Sequence, residues 1–177
     1  MKIAIDIGHA ENTGARGNGL EEHEVAKAIG HWLATLLRTG GHVVEVIDFP
    51  ASSNTRDLAK TIWAANIGGY DIGLSLHCDA SDSPDAHGGH VCFYPGSVQG
   101  ARLAVCVADK LCREMQGRAN AVMSRPNLAV LRRTRCPWVL VECGFITNEG
   151  DAGVMSEHPD RIARAIAEGV MDYTTRK

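Results

Sequence analysis

Strand-length apolar runs alternate with longer amphipathic stretches along almost the whole chain, and few architectures accommodate that order. Residues 2–8 set Ile3, Ile5 and Ile7 against smaller or polar neighbours, the alternation of a strand that stops at Gly8-His9. After a loop rich in Gly and Asn, a helix is expected from about Glu22 to Thr39. It carries Val25, Ile29, Trp32, Leu33 and Leu36 on its inner face and is closed by Gly40-Gly41. Further strands are predicted at Val43–Ile47, Asp71–Leu76, Gly89–Tyr94 and Pro137–Val141, the last with its proline where a missing N–H is tolerated. A short strand is also expected at Leu128–Leu131. Helices are predicted at Thr55–Ile67, with Leu58, Ile62 and Ala65 inward, at Val98–Met115 and at Asp160–Tyr173. The expected fold is α/β: a twisted, mostly parallel sheet with helices on both faces, in one domain over residues 1–177.

The balance of residues supports this and narrows the function. A chain of 177 residues with 45% hydrophobic content has enough apolar material for one sizeable core. A net charge of -3 with 5% aromatics offers neither the basic surface nor the stacking platforms of a nucleic-acid binder. No apolar run approaches the roughly 20 residues that span a bilayer. The opening Met1-Lys2-Ile3-Ala4-Ile5-Asp6 lacks the three-part pattern of a signal peptide, so synthesis in the cytoplasm is expected. The six cysteines form no C-x-x-C pair, and most are expected to be free, buried thiols.

Three of the predicted strands end on groups with chemistry: His9, His77 and Glu142. In parallel sheets ligands bind outside the carboxyl ends of the strands, so the topology is expected to gather these distant residues. A metal would need a third ligand, and the first long helix begins with Glu21, Glu22 and Glu24. At about 100° per residue, Glu22 lies within about 20° of the direction of Ile29 and Leu33, whereas Glu24 points about 200° away from it. Glu22 alone continues the buried stripe, and a buried carboxylate demands a cation or donors. His9, Glu22 and His77 form a His₂Glu set, the ligand composition of many catalytic zinc sites. Glu142, nearby and unligated, would move a proton, unless it is tied up in a salt bridge to Arg132, Arg133 or Arg135.

The run Ile3-Ala4-Ile5-Asp6-Ile7-Gly8-His9 resembles the opening strand and G-H motif of the zinc-dependent N-acetylmuramoyl-L-alanine amidases. Gly14-Ala15 and Gly19-Leu20-Glu21-Glu22 are similar to that family's G-A…G-L-x-E segment, and Ser75-Leu76-His77-Cys78-Asp79-Ala80 to its S-[IL]-H-x-[ND]-A motif. Leu128–Leu131 and Pro137–Asn148 resemble the late segment with its catalytic glutamate. The resemblance implies a phosphorylase/hydrolase-like fold and one catalytic Zn2+ per chain, held by His9, Glu22 and His77, with Glu142 catalytic. It implies cleavage of the amide between N-acetylmuramic acid and the L-alanine of the peptidoglycan stem peptide, as in phage endolysins and other bacteriolytic enzymes. Only Ser81–Gly88 separates Ala80 from the next strand, too little for the regulatory helical insert of some relatives, so no activator protein is expected. Nor is a wall-binding domain; the enzyme would reach the wall after lysis-type release or by a non-classical route. Ala10-Glu11-Asn12 departs from the second glycine that often follows G-H.

Two other functional classes compete. A thiol hydrolase would use Cys78 or Cys143 with a nearby histidine, although strand alternation turns Cys143 away from Glu142. A non-catalytic module would hold zinc or a muropeptide without turnover. His87 and His90 suggest a further metal pair but read better as loop and strand-edge residues, while His23, His31, His42 and His158 are expected in solvent. By resemblance, Asp79 and Asn148 lie where substrate or supporting contacts are made. Gly14, Gly17 and Gly19 do not complete a dinucleotide fingerprint, because Glu22 stands where its third glycine would be.

Overall fold

The computed structural model describes residues 1–50, 53–117 and 121–175. The chain opens with β1 (Lys2–Ile7), a two-residue-per-strand hairpin of β2 (Arg16–Gly17) and β3 (Leu20–Glu21), and then α1 (Glu22–Thr39). Next come β4 (Val43–Ile47), α2 (Asn54–Ile67), β5 (Ile72–Asp79), β6 (His90–Phe93) and α3 (Val98–Glu114). The last third holds β7 (Val122–Ser124), α4 (Ala129–Arg133), β8 (Trp138–Phe145), α5 (Glu149–Glu157) and α6 (Pro159–Thr175). Six strands form one sheet in the order β4-β1-β5-β8-β6-β7. All neighbours are parallel except β8 and β6, so the sheet is mostly parallel, as expected, with its direction reversed at that seam.

Both faces are covered. Ile3, Ile5, Leu74, Leu76, Val139 and Val141 point to a larger core shared with α1, α3 and α6. Ala4, Trp138 and Leu140 point the other way, into a smaller core closed by Ala65 of α2 and by Val130 and Leu131 of α4. This double coverage explains why β1 is buried almost throughout.

The chain departs from its predicted pattern in a few places. Leu128–Leu131 is not a strand: α4 begins at Ala129, and Arg132 N–H donates to the Leu128 carbonyl, 3.0 Å, as in one helical turn. Four apolar residues carry too little periodicity to decide between the two states, and covering Trp138 decides it here. Trp32 is 46% exposed. The buried stripe of α1 runs through Ala26, Ile29, Leu33 and Leu37, and Trp32 lies about 100° from Leu33. Leu58 is also exposed, and it lines a groove rather than the core. β7 and α5 carried no clear pattern. β4 is the outer strand on one side, with Val43 and Val46 in solvent and the Val44 carbonyl accepting from Arg38 Nη2 at 2.8 Å.

Where α3 crosses α6, a Cβ on Gly169 would lie 2.5 Å from Val107 Cα and 2.7 Å from the Cys106 carbonyl oxygen, backbone that cannot yield without parting the helices. Gly169→Ala is therefore expected to lower stability by about 1–3 kcal/mol. Urea unfolding checks this through a lower midpoint at unchanged slope.

Candidate metal centre and its groove

The site forms where β1, β5 and β8 reach their carboxyl ends. Gly8 N–H donates to the Leu76 carbonyl at 2.9 Å, tying the end of β1 to β5. The next residue, His9, takes the left-handed conformation (φ 63°), which turns its side chain back over the sheet. β5 continues past its predicted end, so His77 lies within the strand, paired in register with Glu142 of β8. One extra residue in β8 then shifts the register, and Gly144 absorbs it at φ 151°.

Glu22 reaches this point from the first turn of α1 and is 3% exposed. Its Oε2 accepts from Ala15 N–H at 2.6 Å and lies 3.3 Å from His9 Nε2. Its Oε1 accepts from Cys78 N–H at 3.0 Å and lies 3.0 Å from His77 Nδ1. Burial alone would raise the Glu22 pKa, but hydrogen bonds from His77, His9 and Ala15 hold it far below the usual carboxylate range. Burial disfavours charge on His77 as well. The hydrogen bond to Glu22 and the carboxylates of Glu142, Glu22 and Asp6 outweigh it, so the His77 pKa is raised. The two imidazoles meet edge to face with centroids 5.0 Å apart.

The predicted ligands thus come together. Ligand atoms of His9, Glu22 and His77 all lie within 4.8 Å of one another, and among the described residues no other trio of His, Cys, Asp or Glu does so. Two imidazoles and a carboxylate suit a transition-metal ion such as zinc. The backbone also leaves room for them: a Cβ on Gly14 would lie 2.7 Å from Glu22 Oε2 and 2.9 Å from His9 Cγ. Glu21 instead pairs with Arg16 at 3.0 Å, and Glu24 with Lys27 at 3.7 Å.

Glu142 stands beside the trio without joining it. Its Oε2 is buried and has no hydrogen-bond partner, and among the described residues it makes no ion pair with Arg132, Arg133 or Arg135. Burial, with Asp79 and Glu22 adding to it against His77 and His9, pushes its pKa up to about 7. A groove of about 1020 Å³ takes in Glu142, His9 and His77 and is lined also by Leu58, Val130, His90 and Phe145.

The remaining candidates separate. His90 pairs in register with Glu142 across the antiparallel seam and sits 3.9 Å from Asp79, while His87 Nδ1 donates to the Asp85 carbonyl at 2.8 Å. They form no second metal trio among the described residues. Asn148 caps α5, accepting from Asp151 N–H at 3.0 Å, and donates to the Pro84 carbonyl at 2.9 Å. Cys78 and Cys143 are buried in the larger core with their thiol pKa values pushed up, the opposite of an activated nucleophile.

Two residues escaped sequence reasoning. His31 and His158 are exposed as expected and His42 half-exposed, but His23 is 1% exposed, with Nδ1 donating to the His9 carbonyl at 2.7 Å. Asp6 is buried beneath His77, accepting from Ser75 Oγ at 2.6 Å and Thr61 Oγ1 at 2.9 Å, while Trp138 Nε1 donates to Ser75 Oγ at 2.9 Å. A charged residue inside an apolar strand was the available signal for Asp6.

Comparison with known proteins extends this. A family profile described as N-acetylmuramoyl-L-alanine amidase matches residues 3–172. The N-acetylmuramoyl-L-alanine amidase LytC of Bacillus subtilis is 33% identical over 97% of this chain, which spans 35% of LytC's length. The catalytic domain of an endolysin targeting Clostridia difficile superposes with a TM-score of 0.89 at 30% identity, over 97% of each chain. The CwlD amidase of Clostridioides difficile, solved in complex with the GerS lipoprotein, gives a TM-score of 0.92 at 21% identity over 99% of each, a likeness of fold.

A cation at the trio needs neutral imidazoles and an ionised Glu22. Glu22 stays ionised through the neutral range, so proton competition falls on His77, whose raised pKa extends it upward. Affinity for Co2+, followed by visible absorption, is expected to rise between about pH 5 and about pH 8. A pH-independent affinity would exclude the histidines as ligands.

Proposed function

The chain belongs to the N-acetylmuramoyl-L-alanine amidase family, and we propose that it hydrolyses the amide between N-acetylmuramic acid and the L-alanine of the peptidoglycan stem peptide. The observation that carries this reading is a His₂Glu trio within 4.8 Å, beside a buried carboxylate oxygen that has no partner.

His9, Glu22 and His77 would hold one Zn2+. When bound, zinc supplies Lewis-acid polarisation of a carbonyl and makes water more acidic. Glu142 does the proton work. Glu142 lines the groove, and its unpartnered carboxylate would accept a proton from water and, as the acid so formed, return that proton to the leaving alanine nitrogen. A pKa near 7 suits a group that must take and release a proton in one turnover. The Asp6–Ser75–Trp138 chain fixes the layer of the sheet beneath His77. Leu58, Val130 and Phe145 give the groove apolar walls for the peptide and lactyl methyl groups.

No helix among the described residues is long and apolar enough to cross a membrane. A lipoprotein partner belongs to CwlD. For this chain we infer an active site that works alone, because His9 and His77 are 25% and 18% exposed at the groove floor. The raised thiol pKa values count against the cysteine alternative.

Incubation with purified peptidoglycan is expected to release free stem peptides beginning with L-alanine, identified by mass spectrometry. Glu142→Gln should lower kcat by about 10²–10⁴ while zinc remains bound. A chelator should abolish activity, zinc should restore it, and iodoacetamide should leave it intact. Release of disaccharide fragments or cut cross-bridges instead would refute the assignment.

A further inference from the structure

We propose that His23 is a positioning residue for the metal centre, clamping the backbone of His9 and anchored in turn by Asp48. This rests on the reading of His9 as a metal ligand. The left-handed backbone of His9 is uncommon for a residue with a side chain, and it persists only where the surroundings hold it. His23 supplies that hold. Its Nδ1 donates to the His9 carbonyl at 2.7 Å from a position almost sealed from solvent. The carbonyl can only accept, so the proton sits on Nδ1.

The opposite ring nitrogen points at a second group. His23 Nε2 faces Asp48 Oδ1 at 3.7 Å, and both atoms are buried with no hydrogen-bond partner. Two orphaned polar atoms facing each other are halves of one contact, and with the proton on Nδ1 both are acceptors, so a single bridging water that donates to each closes it. Asp48 directly follows β4, whose last residue, Ile47, pairs in register with Asp6 of β1. The line Asp48–His23–His9 carbonyl therefore braces the loop after β1 against the neighbouring strand.

Sequence adjacency gives the brace its effect. Glu22 and His23 are consecutive in the first turn of α1, so one turn delivers both a carboxylate ligand and the clamp on the residue that carries an imidazole ligand. Releasing the His9 carbonyl would let φ relax and swing Nε2 away from its place 3.3 Å from Glu22. The loss falls on metal affinity first and on turnover through it.

The test compares His23→Leu with His23→Asn, side chains of the same branched shape, of which only the amide can donate in place of Nδ1. Zn2+ affinity is measured by competition with a chromophoric chelator, and metal-free melting is recorded alongside. Wild type should bind one Zn2+, His23→Leu about 10- to 100-fold more weakly, and His23→Asn between the two, because the amide restores the donor to His9 but lacks the nitrogen that faces Asp48. Equal affinity in His23→Leu and wild type, or equal weakness in both variants, overturns the clamp while leaving the metal site standing. Wild type that binds no Zn2+ overturns both, and is seen before any substitution. Should His23→Leu fail to fold, Asp48→Ala, at a partly exposed position, is expected to weaken Zn2+ in the same direction; unchanged affinity there overturns the anchor.

Discussion

A single buried carboxylate organises this molecule's working end. Removing Glu22 from water costs several kcal/mol unless donors replace the water, and the chain brings them from three directions. Ala15 N–H comes from the loop before the hairpin, Cys78 N–H from the far end of β5, and the two imidazoles from β5 and the turn after β1. Meeting that demand fixes the loop, the helix and the sheet relative to one another. The Glu22 N–H also donates back to the Ala15 carbonyl at 3.0 Å, so the loop and helix grip each other reciprocally. The backbone donors from Ala15 and Cys78 hold the carboxylate in place whichever groups the imidazoles face.

The direction of the strands determines which side chains can take part. β1, β5 and β8 run together, so residues late in each contribute to the site. β6 runs against β8, and its first residue is the one that meets Glu142. His90 therefore borders the groove because of the antiparallel seam, and β6's last residue, Phe93, pairs with Val139 far below. Beneath this rim, Asp6, Ser75 and Trp138 make a polar layer inside an otherwise apolar face. Asp6 sits deep enough for burial to raise its pKa despite its hydrogen bonds to Ser75 and Thr61, so ionising this layer carries a cost in stability.

The long, strongly patterned segments were legible in the sequence, because each buries one continuous stripe or both faces. Glu22 could be chosen from three neighbouring acids on helical angle alone. What escaped depended on contacts across the chain. Ala129–Arg133 becomes helical to cover Trp138, a partner only the sheet supplies. His23 lies on the same helix as Glu22, about 100° further round, where the angle predicts a flank. The return of the His9 loop buries it. Leu58 followed the apolar pattern of α2, yet the groove claims it, and a side chain lining a groove has the same sequence signature as one in a core. The extra residue of β8 after Glu142 leaves no trace in periodicity beyond a glycine.

The outer strand β4 has a consequence for how the protein behaves in crowded solution. A terminal strand with Val43 and Val46 facing outward offers a template for pairing with another chain. Arg38 from α1 already occupies the Val44 carbonyl, and Glu45, paired with Lys2, places charge in the middle of the same short strand. A stray strand laid along this border would have to displace a guanidinium and approach an ion pair. The sheet thus ends in a guarded margin, and self-association through strand addition is resisted by side chains rather than by a covering element.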